Sequence, residues 1–331
     1  MAILVTGGAG YIGSHCVYEL LDAGHDVIVL DDLSTGYRSS LPSDLPFYTG
    51  NAGDKDFVDS IFLRHNIDTV FHFAGSIIVP ESIDNPLKYY DNNTHVSLSL
   101  LQSCVKNKVQ NFIFSSTAAV YGNNLLQMMQ EDFSSAPETP YASSKLMTEM
   151  MIQDTSRAHG MNFAILRYFN VAGADPKGRT GPMKENATHL IKIACDVALG
   201  IIPSINIFGT DYETPDGTCI RDFIHVSDLA NAHLKVYELM RHQKINKIYN
   251  CGYGTGYSVL DVIQHLETII GHAISKTNAP RRLGDPMALT ADSSRLKKET
   301  GWAPKYNNLG FIIKSALDWE QKLQNNKKQL A

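Results

Sequence analysis

Several features that mark other protein classes are missing from this chain of 331 residues. Its five cysteines form no CxxC pair, which fits buried reduced thiols better than a disulfide framework. Its twelve histidines form no HExxH motif and no Cys/His cluster, so we predict no metal site. Basic residues are not clustered and the net charge is −5, which argues against nucleic-acid and membrane partners. Because there is no long apolar run and no charged leader, we expect a cytoplasmic protein.

What the chain does have, from its first residues, is a strand, a glycine turn and a helix. Gly7, Gly10 and Gly13 lie between an apolar strand pattern and a helical one, and their spacing lets the backbone approach a pyrophosphate at the helix N-terminus. Asp31 follows the second strand, roughly twenty residues past the last glycine, where its carboxylate can hold both hydroxyls of an adenine ribose. These features predict a Rossmann-type unit that binds NAD rather than NADP, although Arg38 nearby keeps NADP open.

Strand patterns alternate with helical patterns through the first half of the chain. We predict strands at 3–6, 27–30, 47–49, 69–73, 111–114 and 163–167, and helices at 55–65, 86–107 and from Tyr141 onward. This alternation is typical of an α/β protein with a doubly wound parallel sheet. Glycine and proline accumulate after Asn170, so we predict an NAD-binding domain at 1–172 and a smaller C-terminal α/β substrate domain at 173–331. Segments near 220–251 are expected to return to the first domain.

The second half mixes short elements with loops. We predict helices at 188–199, 228–240, 259–270, 293–300 and 311–323, and strands at 205–208 and 247–250. Ser227 is the expected N-cap of the second of these helices. Such a mixture is expected of a smaller domain that holds a substrate.

A tyrosine and a lysine in the middle of the chain carry the candidate chemistry. Thr139 can cap a helix and Pro140 suits its first turn, so the helix is expected to begin at Tyr141. Lys145, four residues on, then lies on the same face. Its charge and the positive helix end would lower the pKa of the phenol and favour a phenolate base. The spacing alone also occurs on many solvated helices, which leaves a surface role open.

The chain as a whole resembles the extended short-chain dehydrogenase/reductase family, and most closely its UDP-galactose 4-epimerases. The matching stretches are TGGAGYIGSH at 6–15, DNN at 91–93, NFIFSSTAAVYG at 111–122, PYASSK at 140–145, LRYFN at 166–170, IFGTDYETPDGTCIRDFIHVSDLA at 207–230 and APRRLGDP at 279–286. They span nearly the whole chain in order, so the resemblance is more specific than any single motif.

The resemblance implies an NAD-dependent epimerisation at C4 of a UDP-hexose. Tyr141 would act as base on the 4-hydroxyl while hydride passes from C4 to NAD, and hydride would return to the other face of the 4-keto sugar. Lys145 would lower the pKa of the phenol and hold the nicotinamide ribose, and Thr117, a serine in most relatives, would hydrogen-bond to the reacting hydroxyl. Related dehydratases carry an Asp-Glu pair where this chain has Ala118 and Ala119. Because alanine cannot transfer protons, dehydration is disfavoured.

The resemblance also implies two sets of binding residues. For the cofactor these are Gly7, Gly10, Tyr11, Ile12, Gly13, Asp31, Asp32, Asn51, Ala52, Phe73, Ala74, Gly75, Asn92, Ser115, Tyr141, Lys145 and Tyr168. For the substrate they are Thr117, Tyr141, Asn170, Asn186, Phe208, Arg221, Arg282, Asp285 and Leu289. The two arginines would clamp the diphosphate, the aspartate would accept from the uridine ribose, the asparagines would donate to phosphates or sugar, and the phenylalanine would line the uracil pocket.

Three departures from the family pattern leave alternatives open. Ser76-Ile77-Ile78 follow Gly75 where relatives carry a lysine near the cofactor, so that Ile77 leaves one polar contact to NAD missing, and Asn51 replaces an aspartate under the adenine, so NAD retention is expected to be weaker. Leu289 occupies the position that sets the size of the sugar pocket, so a UDP-N-acetylhexosamine or a UDP-pentose is an alternative substrate. A non-catalytic NAD(H)-binding regulator is the alternative from another class. The helices at 86–107 and 141–159 pack two subunits together in relatives, which predicts a homodimer.

Overall fold

Strands and helices alternate along the chain, and the computed structural model describes them for residues 1–122, 128–183, 189–282 and 285–330. Numbered in chain order, the strands are β1 (Ala2–Thr6), β2 (Val27–Asp31), β3 (Phe47–Thr49), β4 (Ile67–His72), β5 (Asn111–Thr117), β6 (Met128–Met129), β7 (Asn162–Tyr168), β8 (Asn170–Ala172), β9 (Ile205–Phe208), β10 (Ile220–His225), β11 (Asn246–Cys251), β12 (Gly256–Ser258), β13 (Lys276–Ala279) and β14 (Ala288–Ala291). The helices are α1 (Tyr11–Asp22), α2 (Lys55–Arg64), α3 (Val79–Asp84), α4 (Pro86–Tyr89), α5 (Val96–Lys106), α6 (Pro140–His159), α7 (Leu190–Ala198), α8 (Val226–His242), α9 (Val259–Ile270), α10 (Ser294–Thr300) and α11 (Leu309–Leu330).

Seven strands form one parallel sheet in the order β11, β7, β5, β4, β1, β2, β3. The chain moves outward from β1 to β3 in one direction and from β4 to β11 in the other. The order therefore reverses between β1 and β4, and in such sheets a ligand crevice opens at that point, beyond the carboxyl ends of the strands. The predicted fold class, a Rossmann-type doubly wound sheet, is confirmed.

Helices cover both faces of this sheet. Val17 and Leu20 of α1 and Leu229 of α8 are buried on one face. Val58 of α2 and Leu100 of α5 are buried on the other. Each fully buried aliphatic side chain of this kind contributes roughly 1.5–3 kcal/mol to folding. The strands, apolar on both faces, could not be exposed on either side without losing this contribution.

The second half is built on β10, a strand that pairs with three others. It runs parallel to β8 and β14 and antiparallel to β12, while β13 and β9 form a separate parallel pair. Only β9 and β11 had been predicted among the strands after β7, because the others are too short to show alternation. The chain returns to the large sheet through α8 and β11, which pairs with β7. The division into domains at 172/173 stays a prediction.

Two predicted helices differ from the observed ones. The helix predicted at 86–107 is α4 and α5 joined by a π-helix at Tyr90–His95, and it is preceded by α3, which the sequence pattern did not indicate. The wider turn holds Asn93, which is 2% exposed and bonds to Ser76 and Ser144. The predicted cap Ser227 is wrong: the imidazole of His225 accepts from the Ser227 N–H at 3.1 Å, so α8 begins one residue before Ser227.

Three general features of the described residues bear on the sequence predictions. None of their helices is both long and apolar enough to cross a membrane. All five cysteines are buried and unpaired. No group of three or more histidines, cysteines or carboxylates comes together there as a metal-ligand set.

Candidate active site

The glycine turn between β1 and α1 brings the backbone close to the end of β4. Gly7 has φ +70, and a Cβ on it would lie 2.5 Å from the backbone nitrogen of Ala74. A Cβ on Gly13 would lie 2.2 Å from the carbonyl oxygen of Gly7. Gly10 is the N-cap of α1, so the first N–H groups of that helix open onto the turn. Only glycines leave this space, and a pyrophosphate at the helix end fits it.

Asp31 ends β2 beside this turn. Its Oδ2 accepts from the Ala9 N–H at 2.9 Å and its Oδ1 from the Leu33 N–H at 2.8 Å, which orients the carboxylate. Burial raises the pKa of this carboxyl, and the two backbone donors oppose that rise. Arg38 donates to the carbonyls of Pro42 and Ser43 at 2.8 and 3.0 Å, so its charge is engaged in its own loop. This arrangement fits a ribose with free hydroxyls and supports NAD over NADP.

The other predicted cofactor residues follow the ends of neighbouring strands. Asn51 and Ala52 come after β3, where Asn51 is exposed and accepts from Gly53 at 2.7 Å. Phe73, Ala74 and Gly75 come directly after β4. Asp32 is exposed next to Asp31, and Ile12 packs on the core from α1. In the stretch without the relatives' lysine, Ile77 is 52% exposed and the hydroxyl of Ser76 accepts from the amide of Asn92 at 2.8 Å.

Two predicted cofactor residues use their hydroxyls within the chain. Tyr11 donates to the carbonyl of Gly173 at 2.6 Å, which ties the glycine turn to the start of the second half. Tyr168 is 6% exposed, and its hydroxyl bonds to His233 in the core. Their contacts with NAD stay predictions, which would involve the backbone or the aromatic rings.

Tyr141, Lys145 and Thr117 come together where α6 packs on the end of β5. The side chain of Thr139 accepts from the Ala142 N–H at 3.3 Å, so the predicted cap is confirmed, and the helix begins at Pro140. Thr117 hydrogen-bonds to the Tyr141 phenol. Lys145 is 3% exposed and donates to the carbonyl of Ser115 at 2.9 Å.

Burial dominates the protonation of this pair. It raises the pKa of the Tyr141 phenol above its ordinary value, against the hydrogen bond from Thr117, which lowers it. It lowers the pKa of Lys145 to about 8, against the attraction of Glu149, which raises it. The chain by itself therefore keeps the phenol neutral, and the phenolate predicted from the Tyr–Lys spacing requires a further positive charge. The sequence spacing predicts that Tyr141 and Lys145 are close to each other, but it does not predict how deeply the two side chains are buried, and burial dominates their pKa values.

A cavity of about 940 Å³ lies in the second half of the chain and holds five predicted substrate residues. They are Asn170, Phe208, Arg221, Arg282 and Asp285. Asn170 follows β7, whose Tyr168 lies opposite Thr117 of β5 in the sheet. Asn170 therefore places one edge of the cavity near the end of β5 that carries Thr117, and α6 with Tyr141 and Lys145 packs on that strand.

The two cavity arginines have different surroundings. Arg221 pairs with Asp285 and donates to the Ile220 carbonyl at 2.7 Å. The guanidinium of Arg282 lies 3.8 Å from the centre of the Phe208 ring. Arg221 is thus engaged with Asp285, whereas Arg282 is exposed to solvent apart from its contact with the Phe208 ring. Both guanidinium groups are placed to meet an anionic ligand in this cavity.

Leu289 lies on β14, directly opposite Arg221 of β10. It is 8% exposed and packs in a cluster that contains Ala118, Tyr121 and Phe169. Ala118 follows Thr117, so this cluster joins the reacting end of β5 to the strand that carries Leu289. The role predicted for Leu289, to set the size of the sugar pocket, stays a prediction.

The substrate residues predicted from sequence were incomplete. Asn186 lies outside the described residues. His189 and Lys192 of the α7 region and Tyr37 line the cavity but were not predicted. His189 immediately precedes the first residue of α7, and a polar residue at a helix start is the signal that would have indicated it.

Fold and site together define an NAD-binding α/β enzyme with a Tyr–Lys pair beside a cavity for an anionic, nucleotide-sized ligand. NAD fits this site: the glycine turn leaves room for its pyrophosphate, Asp31 is oriented toward a ribose, and Lys145 is buried next to Tyr141.

Comparison with known proteins narrows this class. Residues 3–252 match the model of the NAD dependent epimerase/dehydratase family, so the chain belongs to that family. A UDP-glucose 4-epimerase of Azospirillum brasilense is 50% identical over 98% of this chain and 93% of its own length. The structure of a Bifidobacterium longum UDP-glucose 4-epimerase with NAD+ and UDP is 38% identical, with a TM-score of 0.93 over 98% of this chain and 99% of that one. That of a Campylobacter jejuni UDP-Glc/GlcNAc 4-epimerase is 43% identical, with a TM-score of 0.84 over 97% and 99%.

Replacing Gly7 by alanine is expected to abolish NAD binding, because its Cβ would meet the backbone of Ala74 at 2.5 Å and close the turn. Gly24→Ala is the matched control, since Gly24 has a similar φ of +80 but nothing within 4 Å of an added Cβ. Both variants carry the strain of a left-handed alanine, about 1 kcal/mol. NAD content measured after denaturation separates them. Equal NAD content in the two variants would contradict the assigned role of the turn.

Proposed function

We propose that this protein is a UDP-hexose 4-epimerase that interconverts UDP-galactose and UDP-glucose with NAD as catalytic cofactor. The observation that carries the proposal is the position of the cavity. Its arginines, suited to a diphosphate, line the same cavity as Asn170, which lies next to the end of β5 where Thr117 bonds to Tyr141 of α6. A sugar attached to that diphosphate reaches the Tyr–Lys pair.

In the proposed reaction the residues bind, orient and move one proton. Arg221 and Arg282 grip the diphosphate, and Thr117 orients the 4-hydroxyl toward Tyr141. NAD, when bound, supplies a hydride acceptor and a positive charge near the phenol. That charge and the Lys145 ammonium would favour loss of the Tyr141 proton, and the resulting phenolate oxygen would accept the proton of the 4-hydroxyl while the hydride of C4 goes to the cofactor. After the 4-keto sugar has rotated, return of the hydride to the opposite face of C4 and of the proton to its oxygen would complete the epimerisation with no net oxidation.

The residues after Thr117 support epimerisation over dehydration. Ala118 is 2% exposed and packs against the apolar cluster of Leu289. Neither Ala118 nor Ala119 can donate or accept a proton, so an elimination across C5 and C6 has no acid and no base at this position. A non-catalytic NAD(H)-binding role is disfavoured because Tyr141, Lys145 and Thr117 are all present, with Thr117 bonded to Tyr141 and Lys145 held at the neighbouring Ser115 carbonyl.

Tyr141→Phe is expected to lower turnover by at least about 1,000-fold while UDP still binds, because the variant lacks only the oxygen that takes the proton. Proton NMR of UDP-galactose mixed with the purified protein measures conversion, and calorimetry with UDP measures binding. Tyr18→Phe is the control. Tyr18 lies on α1, its ring packs under the Arg179 guanidinium, and it does not line the cavity.

The same NMR assay, run without and then with added NAD, tests the cofactor prediction. Conversion that requires added NAD would support the weaker retention expected from Asn51 and Ile77. Turnover of Tyr141→Phe at the wild-type rate would refute the mechanism, and no conversion of either UDP-hexose by the wild type would refute the function.

The range of sugars is the second proposal, and it rests on Leu289. Leucine is intermediate in size, so we expect UDP-N-acetylgalactosamine to be converted as well as UDP-galactose. Leu289→Tyr is expected to suppress the N-acetyl substrate at least about tenfold more than the hexose, because the larger ring leaves no room for the acetyl group. Leu289→Met, which conserves volume, is the control. An equal loss of turnover on both UDP sugars in the NMR assay would contradict the role of Leu289 in sugar selection.

A homodimer through α5 and α6 is a third proposal. Leu98, Met147 and Met150 are 40%, 44% and 58% exposed on these two helices, which pack side by side. An apolar face of this kind is typical of a subunit interface. The relatives' mode of pairing, implied by the resemblance, uses the same two helices.

Met150→Lys is expected to convert a dimer to a monomer, because it places a charge in an apolar interface. Leu63→Lys, on α2 with Leu63 84% exposed, makes the same change on another face and should leave the mass unchanged. Light scattering after size exclusion measures both. A wild-type monomer, or a Met150→Lys dimer, would exclude this interface.

We also infer a cytoplasmic location, since five buried, unpaired cysteines suit a reducing compartment. Cell fractionation tests it, and recovery of the protein outside the cytoplasm would reject it.

A further inference from the structure

Glu149 is a fully buried carboxylate on α6, four residues past Lys145. The hydroxyl of Ser116 donates to its Oε1. Arg167 donates to it twice, from Nε to Oε1 at 3.1 Å and from Nη2 to Oε2 at 2.6 Å. Ser116 of β5 and Arg167 of β7 lie directly opposite each other in the sheet. The carboxylate of Glu149 therefore fastens α6 to two adjacent strands at once.

On β5, the contact of Ser116 with Glu149 lies between the contacts of Ser115 with Lys145 and of Thr117 with Tyr141. Residues 115, 116 and 117 of β5 hold residues 145, 149 and 141 of α6 through a carbonyl, a hydroxyl and a hydroxyl. The three helix positions are spaced by four and share one face. A rotation of α6 that moved Tyr141 from Thr117 would also break the ion pair between Glu149 and Arg167. Because that pair is buried, breaking it is costly.

The carboxylate also places charge near the reacting pair. The titratable groups around Tyr141 and Lys145 are Glu149 on the same helix, His72 on β4, Arg167 and Tyr168 on β7, and Tyr89 on α4, whose ring packs edge-on against Tyr141. His72 is neutral, because burial lowers its pKa to about 3, and Tyr168 and Tyr89 are neutral because burial raises their pKa. The hydroxyl of Tyr89 bonds to the carboxylate of Glu81, which therefore lies one residue further from the pair. Glu149 is the carboxylate whose charge opposes the loss of the Lys145 proton.

We infer that Glu149 is a positioning residue for catalysis, which sets the rotation of α6 through Ser116 and Arg167 and keeps a negative charge behind the Lys145 ammonium. The inference rests on the proposed function for its effect on turnover, but not for its effect on Lys145 itself. The ion pair is a structural element as well, so the test needs readouts that a loss of stability alone would not change.

Glu149→Gln removes the charge and keeps the shape. We expect kcat to fall about 10- to 100-fold with KM within about twofold, because the sugar site is intact while the reacting groups are misplaced. The alkaline limb of the pH profile of kcat should move about one pH unit lower, because Lys145 loses its proton more easily. Asp154→Asn, the same charge change at an exposed position of α6, should leave both unchanged.

A second variant separates an effect of Glu149 on catalysis from an effect on the stability of the fold. Glu149→Gln combined with Arg167→Met leaves no unpaired buried charge, so its thermal stability should recover toward the wild type. If Glu149 acts only on stability, kcat and the pH profile recover with it, and the inference is overturned. We expect both to stay below the wild-type values.

Titration of Lys145 by NMR in protein labelled with [13C]lysine, assigned with Lys145→Met, gives a readout without turnover. We expect a pKa near that of the buried lysine, about 8, in the wild type, and about one unit lower in Glu149→Gln. An unchanged lysine pKa would overturn the electrostatic part of the inference. A wild-type protein without epimerase activity but with this shift would refute the proposed function and leave the role of Glu149 toward Lys145 intact.

Discussion

The second half of the molecule is assembled around the buried carboxylate of Asp222. Its Oδ1 accepts from the Tyr253 N–H at 2.9 Å, and its Oδ2 from Gly254 and Ala291 at 2.8 and 3.1 Å. One side chain of β10 thereby joins the turn after β11 and the end of β14. A buried donor left without an acceptor costs about 1–3 kcal/mol, so three of them make this carboxylate a strong constraint. It also fixes the strand from which Arg221, its neighbour, reaches the cavity.

The large sheet imposes the complementary constraint. Because its strands are parallel, their carboxyl ends meet at one edge, and several of the predicted cofactor and substrate residues follow such an end. The glycine turn follows β1, Asp31 ends β2, and Thr117 ends β5. The hydrogen bond from Tyr11 to Gly173 and the parallel pairing of β8 with β10 connect this edge to the cavity. These contacts hold the predicted cofactor residues at the sheet edge next to the cavity predicted to bind the sugar nucleotide.

The parts of the site that depend on local spacing could be predicted from sequence. The glycine turn, the acidic residue after β2 and the capped helix of Tyr141 are short-range patterns, and the structure has them where expected. The cavity residues could be named only through the resemblance, since residues 170, 208, 221, 282 and 285 are brought together by pairings among short strands that carry no periodic signal. The π-helix and the cap of α8 were missed, because long-range contacts of Asn93 and the imidazole of His225 decide them.

The sequence by itself indicated the doubly wound sheet and the cofactor type, because hydrophobic period and glycine spacing act within a few residues of one another, and with the family resemblance it indicated the candidate Tyr–Lys pair. Tertiary structure alone decided the protonation of that pair, since burial raises the pKa of Tyr141 and lowers that of Lys145, and burial depends on what packs from elsewhere in the chain. It also decided that Glu149, which no motif marks, lies between Ser116 and Arg167 behind the reacting lysine. Such contacts join residues far apart in sequence, and only the folded chain brings them within hydrogen-bonding distance.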